Sequence, residues 1–359
     1  MISDLTIDPT YMHRCLQLAR LGEGHVAPNP MVGAVLVYNG LIIGEGYHKR
    51  YGGPHAEVEC INSVNPEHQR LIEESTLYVS LEPCAHFGKT PPCTNLIIEK
   101  EIKQVVIGCR DSFDQVNGKG IEQLNEAGVE VHVGLLENEC LLLNKRFFTF
   151  HKKKRPFVLL KWAQSQDGRI ARNDQSRVLI SNAYSNRLVH QWRSQLMAIM
   201  IGTNTALYDD PSLTTRWWPG RHPLRVVIDL QLRLPASLQL FTDDKPVIVF
   251  NLHRHTMKEG KQLKHEGVQY YQLMNNAGVI DQVIQALYQM EIQSLLVEGG
   301  ARLLQSFIDA NCWDEAAVIT NTNLLIGEGI PAPVLQQAQL MQEMNLHGDH
   351  ILYYQNLSY

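Results

Sequence analysis

The first part of the chain alternates between segments of helical and of strand-like hydrophobic periodicity. Apolar residues recur at helical spacing between Pro9 and Leu21, whereas residues 31–37 form a continuous apolar run typical of a buried strand. Asn39-Gly40 favours a two-residue type I′ turn, so residues 41–43 are predicted to return as the hairpin partner. Further helices are predicted at residues 55–62, from 94 and at 121–127, and further strands at 76–80, 105–107 and 129–133.

This alternation predicts a layered α/β domain, and the pattern starts again after a basic, proline-containing segment. Lys152-Lys153-Lys154-Arg155-Pro156 is typical of a solvated linker and predicts a boundary between domains at residues 1–150 and 151–359. Beyond it, strands are predicted at residues 157–160, 198–201, 224–228, 247–250 and 295–297, and helices at 182–193 and 279–290. We therefore predict two α/β domains, each with its own hydrophobic core.

Composition and charge narrow the class of protein. The chain has 359 residues, 44% of them hydrophobic, which suits two globular domains. Residues 1–150 contain 12 Lys and Arg against 19 Asp and Glu, a net charge of −7 that argues against a nucleic-acid partner. No secretion signal and no apolar run long enough to span a membrane is present, which predicts a cytoplasmic protein without a membrane partner. Seven scattered cysteines argue against a disulfide framework.

The strongest chemical signal is His55-Ala56-Glu57 followed by Pro83-Cys84 and by Cys93. One imidazole and two thiolates would give Zn²⁺ three protein ligands, which leaves the fourth tetrahedral position for water, as in catalytic zinc sites. Glu57 is two residues from His55 at a predicted helix start, where it can move protons without binding the metal. The pattern matches the zinc deaminase signature His-x-Glu…Pro-Cys-x-x-Cys, except that eight residues rather than two separate the cysteines.

Other interpretations of this pattern remain open from the residues alone. His86 lies between the two cysteines and is a competing ligand. A nucleic-acid base deaminase with an unrelated second domain would share the signature, although the acidic first domain argues against it. A structural zinc module would need a fourth protein ligand and would fold only with metal.

Longer motifs indicate a family. Leu81 to Cys93, with Asn29-Pro30-Met31-Val32-Gly33-Ala34 and Gly53-Pro54-His55-Ala56-Glu57, closely resembles the bifunctional riboflavin biosynthesis proteins. The resemblance implies a cytidine-deaminase-like three-layer domain fused to a reductase, and a homo-oligomer. It also implies the substrate 2,5-diamino-6-ribosylamino-4(3H)-pyrimidinone 5′-phosphate. Its implied substrate contacts in the first domain are Asn29, His48, Lys89 and Asp111.

The second domain gives a weaker signal on its own. Leu295 to Gly300 predicts a strand followed by a tight turn into a helix, and no Gly-x-Gly-x-x-Gly follows any predicted strand, which disfavours an ordinary Rossmann domain. Residues 160–171, 201–205, 209–214 and 297–300 resemble the reductase half of the family, which implies a dihydrofolate-reductase-like α/β fold and the cofactor NADPH. The resemblance places Lys161, Asp209 and Glu298 at the reaction centre, Arg193 and Arg216 near the substrate phosphate, and Lys161, Ser181, Gly202, Thr203, Asp209, Gly299 and Gly300 along the cofactor.

The chain departs from the family pattern at several places in this second domain. It has Ile180 where the family has a threonine, Asp210 where it has an asparagine, and Glu328 where it has a glycine. We nevertheless expect a bifunctional enzyme. The first domain would deaminate the pyrimidine with Glu57 relaying protons, and the second would reduce the ribosyl side chain to ribityl with NADPH.

Overall fold

The structure of the chain is a computed structural model, which describes residues 7–87, 91–111, 117–174, 176–257, 267–275 and 278–358. It divides into two compact units, Met1–Lys153 and Lys154–Tyr359. Within the described residues, none of the helices combines the length and the apolar character needed to cross a bilayer.

The first unit is built on a mixed sheet whose strand order is β2-β1-β3-β4-β5. Its strands are β1 (Gly33–Tyr38), β2 (Leu41–Tyr47), β3 (Thr76–Leu81), β4 (Gln104–Cys109) and β5 (Glu130–Val133). Its helices are α1 (Pro9–Arg20), α2 (Ala56–Asn62), α3 (Cys93–Glu99), α4 (Lys119–Glu126), α5 (Glu137–Leu143) and α6 (Lys145–Lys153). Each helix and strand predicted for this part of the sequence is therefore present, with small shifts at the ends.

Alternating side chains of β1 give this unit three layers. Ala34 and Leu36 belong to the core shared with α2, whereas Val35 and Val37 belong to the core shared with α1. Both faces of the sheet are thus covered by helices, which explains why the strand is apolar without interruption. The turn between β1 and β2 has positive φ at Asn39 and Gly40, as the type I′ prediction requires.

A glycine sets the distance between α2 and the sheet. A Cβ placed on Gly46 of β2 would lie 2.2 Å from the backbone nitrogen of Cys60, so only glycine permits this close packing. The packing matters because the residue before α2 is His55, which caps the amino end of this helix.

The second unit is built on a larger sheet whose strand order is β11-β10-β9-β8-β12-β6-β13-β16-β15, with a separate β14-β7 pair. Its strands are β6 (Phe157–Ser165), β7 (Arg169–Arg172), β8 (Ala198–Gly202), β9 (Leu224–Ile228), β10 (Val247–Asn251), β11 (Val268–Gln272), β12 (Ser294–Glu298), β13 (Glu315–Asn321), β14 (Gly329–Pro331), β15 (Ala338–Leu346) and β16 (Asp349–Asn356). Its helices are α7 (Ala183–Gln195), α8 (Thr203–Asp209), α9 (Gln239–Thr242), α10 (Val279–Gln289) and α11 (Ala301–Asp309).

The strands from β11 to β13 in this order are parallel, and β16 and β15 extend the sheet antiparallel at one edge. Val158 and Leu160 of β6 pack into one core, and Phe157 and Leu159 into the core on the opposite face. Because β8, β12 and β6 are neighbours and parallel, their carboxyl ends meet at one edge of the sheet. Ligand sites of open α/β sheets form at such edges.

Candidate functional site

His55, Cys84 and Cys93 form the metal-ligating group found among the described residues of the first unit. His55 caps α2, Cys84 lies just after β3, and Cys93 is the first residue of α3. The Nδ1 atom of His55 is 3.5 Å from the Sγ of Cys84 and 3.3 Å from the Sγ of Cys93. His86, the competing ligand considered from the sequence, does not belong to this group.

The geometry of these three atoms fits zinc. An ion bound tetrahedrally at about 2.3 Å from sulfur and about 2.0 Å from nitrogen holds such ligand atoms roughly 3.5 Å apart. The observed nitrogen–sulfur separations agree with that value. The hydrogen bond with Cys93 lowers the pKa of the Cys84 thiol to about 4, so at least one sulfur is a thiolate at neutral pH, as a zinc ligand must be.

Glu57 lies in the first turn of α2 and is only 3% exposed. Burial raises the pKa of its carboxyl group. Glu57 is not among the metal-ligating residues found in the described part of the chain. Its side chain nevertheless interacts with that of Cys93 and so lies beside the ligands. The arrangement is therefore three ligands with a buried carboxylate beside them, as the sequence predicted.

Two further residues predicted from the sequence, Asn29 and His48, hydrogen-bond to each other near the metal ligands. The Nδ1 atom of His48 is 2.8 Å from the carbonyl oxygen of Pro54, so this nitrogen donates, and burial lowers the pKa of His48, which favours the neutral ring. The amide nitrogen of Asn29 therefore donates to Nε2 of His48 over 3.1 Å. This bond uses the amide nitrogen of Asn29, so the Oδ1 atom is the acceptor that the side chain has besides it. The rings of His48 and His55 are 5.5 Å apart.

The remaining substrate contacts predicted for this unit are Asp111 and Lys89. Asp111 follows β4 and is 7% exposed. Its backbone N–H donates to the carboxylate of Glu82 over 3.2 Å. Lys89 lies outside the described residues.

In the second unit, Lys161 and Glu298 face each other on neighbouring strands. They are register partners at the carboxyl ends of β6 and β12, and the Nζ atom of Lys161 lies 3.9 Å from Oε2 of Glu298. Arg193 of α7 binds the same carboxylate with two hydrogen bonds of 2.9 and 2.8 Å. The three side chains are nearly buried and line a cleft of about 1670 Å³.

The charges of this cluster decide its protonation. Burial alone would raise the pKa of Glu298, but Arg193 and Lys161 outweigh that effect and lower it to about 2. Burial lowers the pKa of Lys161, and the charge of Glu298 partly offsets this shift. Glu298 is thus a carboxylate at neutral pH, and burial makes the Lys161 ammonium group release its proton more readily than that of an exposed lysine.

We expect Glu298→Gln to destabilise the fold by about 3 kcal/mol near neutral pH, because Arg193 and Lys161 would stay buried without their counter-charge. The folded-state pKa of about 2 lies below the ordinary value of 4.5. The carboxylate therefore stabilises the fold fully above about pH 4.5, and this contribution is lost as the pH falls toward 2. Denaturant unfolding of both proteins should show the difference in unfolding free energy shrinking over that range; a constant difference would contradict the assignment.

The other predicted residues lie around the same cleft. The guanidinium of Arg216 contacts the hydroxyl groups of Ser212 and Thr214. Ser181 precedes α7 and hydrogen-bonds Asn186 over 3.0 Å. Asp209, the last residue of α8, is exposed, and no hydrogen bond or ion pair in the described part of the chain joins it to Lys161 or Glu298. The structure thus brings Lys161, Glu298 and Arg193 into direct contact, whereas Asp209 lines the same cleft without a hydrogen bond or ion pair to them among the described residues.

The departures from the family pattern stand outside this charged cluster. The carboxylate of Asp210 accepts the backbone N–H of Gln239 over 2.8 Å. Ile180 is buried, and Glu328 is exposed. The additional carboxylate at position 210 therefore does not change the pairing of Lys161 and Glu298.

The predicted cofactor glycines lie in two neighbouring turns between strand and helix. Gly202 ends β8, while Gly299 and Gly300 follow β12, and the backbone N–H of Gly300 donates to Thr205 over 2.9 Å. Thr203 donates its hydroxyl to the carbonyl oxygen of Ile228 over 2.8 Å. A Cβ on any of the three glycines would meet protein atoms no closer than 3.4 Å. The packing of the described residues therefore does not require glycine at these three positions.

Two residues of these sites, Glu82 and His190, were not predicted from the sequence. Glu82 is 3% exposed, and its carboxylate accepts the backbone N–H groups of Asp111, Gly118, Gly120 and Ile121. His190 lines the cleft of the second unit three residues before Arg193, on the same face of α7. The sequence contained one signal for each residue. Glu82 directly follows a buried strand, and His190 lies at helical spacing from Arg193.

Comparison with protein-family models identifies both halves of the chain. Residues 5–109 match the cytidine and deoxycytidylate deaminase zinc-binding region, and residues 156–356 match the RibD C-terminal domain. The predicted classes of fold, deaminase-like for the first unit and reductase-like for the second, are confirmed. The zinc-binding character of the first unit is likewise supported by its family model and by the His55, Cys84 and Cys93 group.

Individual relatives match nearly the full length. The chain is 39% identical to riboflavin biosynthesis protein RibD of Aquifex aeolicus, with 90% of this chain and 89% of the relative covered. It is 34% identical to RibD of Escherichia coli over 89% of this chain and 88% of the relative. A crystal structure of a diaminohydroxyphosphoribosylaminopyrimidine deaminase/5-amino-6-(5-phosphoribosylamino)uracil reductase from Thermotoga maritima superposes with a TM-score of 0.85 at 36% identity, covering 97% of this chain and 98% of that one.

Proposed function

The chain belongs to the family of bifunctional riboflavin biosynthesis proteins, which join a deaminase to a reductase, and we propose which substrate, cofactor and residues it uses. It is an enzyme that deaminates a pyrimidine and then reduces the product in riboflavin biosynthesis. The proposed substrate is 2,5-diamino-6-ribosylamino-4(3H)-pyrimidinone 5′-phosphate, and the proposed product is 5-amino-6-ribitylamino-uracil 5′-phosphate. The observation that carries the proposal is the presence of a three-ligand metal group beside buried Glu57 in one unit and the Lys161–Glu298 pair in the other.

Deamination is assigned to residues 1–150. His55, Cys84 and Cys93 would hold the zinc ion, which when bound supplies the Lewis acidity that activates water for attack on the amine-bearing carbon. Glu57 takes a proton from the attacking water and passes protons to the departing amine, which leaves as ammonia. Its burial suits this role because it raises the pKa of the carboxyl group, so that the carboxylate accepts a proton more readily than an exposed one.

The pyrimidine would bind against the polar groups beside the metal ligands. Asn29 would offer its amide oxygen to the substrate, because its amide nitrogen already donates to His48. Asp111 would contribute a second contact, held by Glu82. Lys89 is proposed to bind the substrate phosphate as a point charge.

Reduction is assigned to residues 151–359, with Lys161, Asp209 and Glu298 as the proposed reaction-centre residues. NADPH, when bound, supplies the hydride. We assign to Lys161 the donation of the proton that the imine nitrogen of the open-chain sugar takes up on reduction; this is supported by the lowered pKa of Lys161 and by its pairing with Glu298. The turns at Gly202, Thr203, Gly299 and Gly300 would receive the cofactor, since the fold leaves space for a ligand against them.

The two arginines of this unit have different environments. Arg193 is nearly buried and gives two hydrogen bonds to Glu298, so its guanidinium is already occupied in fixing that carboxylate. Arg216 is exposed in the cleft beside two hydroxyl groups, an arrangement that suits a phosphate. We therefore assign the direct phosphate contact to Arg216 and a supporting part to Arg193.

We further propose that the enzyme works in the cytoplasm and as a homo-oligomer. The seven cysteines, all of which lie in the described part of the chain, form no disulfide, which suits a reducing compartment.

The proposal is tested by incubating the purified enzyme with the diamino substrate, with and without NADPH, and identifying products by mass spectrometry. Without NADPH we expect ammonia and the deaminated ribosylamino compound; with NADPH we expect the ribityl product. Oxidation of NADPH by the substrate before any ammonia is released would contradict the assigned order, and failure to release ammonia would contradict the assigned substrate.

A further inference from the structure

His190 holds the backbone of the segment that carries Arg216. It lies on α7, is 3% exposed, and its Nδ1 atom accepts the backbone N–H of Arg216 over 2.8 Å and that of Trp217 over 3.4 Å. Its ring also packs against the ring of Trp217, with centroids 4.9 Å apart. A single side chain thus fixes two consecutive peptide groups.

The protonation state of His190 agrees with this role. Burial lowers its pKa to about 4, helped by the nearby positive charges of Arg193 and Arg216. A neutral ring carries one proton, and because two N–H groups point at Nδ1, that proton is assigned to Nε2. The Nδ1 atom is therefore free to accept hydrogen bonds at neutral pH.

Neighbouring contacts hold the rest of the same segment. Arg193, one helical turn after His190, donates to the carbonyl oxygen of Thr214 over 3.3 Å. His222 accepts the backbone N–H of Thr215 over 3.2 Å. Residues 214–217 are thus tied by their backbone to α7 and to His222, while the Arg216 side chain stays in the cleft with Ser212 and Thr214.

We propose that His190 is a positioning residue for substrate binding: by accepting the backbone N–H groups of residues 216 and 217, it places the Arg216 guanidinium where the substrate phosphate binds. The inference rests on the proposed function, which assigns the phosphate to Arg216. No contact of His190 with the substrate is needed. The expected consequence is a loss of affinity for the phosphorylated substrate with little change in the chemical step.

Two variants separate this role from simple packing. His190→Phe keeps a planar ring against Trp217 but removes the acceptor, whereas His190→Asn keeps an acceptor, since its Oδ1 is bonded to Cγ as Nδ1 is in histidine. For His190→Phe we expect KM for the deaminated, phosphorylated substrate to rise by about tenfold, equivalent to ~1.4 kcal/mol, with kcat nearly unchanged. His190→Asn should restore most of the wild-type KM. Neither variant should change ammonia release or the dissociation constant of NADPH, and a cooperative thermal unfolding transition is the check that each is folded.

Arg216→Ala and the dephosphorylated substrate complete the test. Arg216→Ala should raise KM for the phosphorylated substrate at least as much as His190→Phe, and both should affect the dephosphorylated compound far less. If Arg216→Ala has this effect and His190→Phe does not, the positioning role is wrong although the phosphate assignment stands. A KM that rises equally for both compounds, or a His190→Asn variant as impaired as His190→Phe, also overturns the positioning role. If Arg216→Ala leaves KM unchanged, the phosphate assignment is wrong, and the inference fails with it.

Discussion

Replacing Glu57 by alanine is expected to slow ammonia release by about 10²–10⁴-fold, the usual contribution of general acid–base catalysis, while the protein still binds zinc. Glu57 is buried beside His55, Cys84 and Cys93 but is not among the metal-ligating residues found in the described chain. Its removal therefore takes away the group that moves protons and leaves all three ligands in place. Deamination should fail for chemical reasons and not through loss of the metal.

The measurement combines metal analysis with an ammonia assay on the same preparation. Glu59→Gln is a matched control, because Glu59 lies on the same helix, pairs with Lys49 at 2.5 Å and is not among the metal-ligating residues found in the described chain. This control should retain both zinc and activity. A Glu57→Ala protein that has lost its zinc would show that Glu57 is a ligand, and a protein with normal ammonia release would show that another group moves the protons.

Much of the metal site could be predicted from the sequence because its parts are short and local. His55 and Glu57 sit together at a helix start, Cys84 follows β3, and Cys93 is the first residue of α3. The ligand chemistry of zinc then restricts which residues can combine. The contribution of Glu82 was not predictable in this way, since its four partners are backbone N–H groups that no residue type reveals.

The reductase cluster depended on the resemblance to a family. Lys161 and Glu298 are far apart in sequence and become neighbours only because β6 and β12 are adjacent parallel strands in register. Strand order is set by long-range packing and not by local periodicity. For the same reason the predicted proximity of Asp209 to this pair has no support from a direct contact among the described residues.

Two of the strands that the hydrophobic pattern did not predict, β11 and β15, lie at the edges of the nine-stranded sheet, whereas β13 and β16 lie inside it. Strand β15 is largely exposed and has glutamine, glutamate and methionine where a half-buried strand would alternate apolar and polar side chains. Strand β11 is only partly buried, at the opposite edge. Such strands are stabilised by backbone pairing with a neighbour, which leaves little trace in the sequence.

Replacing Lys161 by methionine is expected to slow NADPH oxidation by the deaminated intermediate by about 10²–10³-fold, the loss typical of removing one polar group that stabilises developing charge. Methionine keeps the apolar stem, and Glu298 keeps its two hydrogen bonds from Arg193, so the cluster should remain folded. Ammonia release should continue at the wild-type rate because the metal ligands belong to the unit Met1–Lys153 and Lys161 to the unit Lys154–Tyr359.

The reciprocal variant is Cys84→Ser, which removes a metal ligand. It should stop ammonia release yet still reduce deaminated intermediate supplied from outside. Asp209→Ala tests the third reaction-centre residue in the same assay: loss of reduction would support it, whereas wild-type reduction would remove it from the centre. A folded Lys161→Met protein that had lost both reactions would show that the two activities share one active site. With separate sites, ammonia release does not depend on a lysine that only the reduction uses.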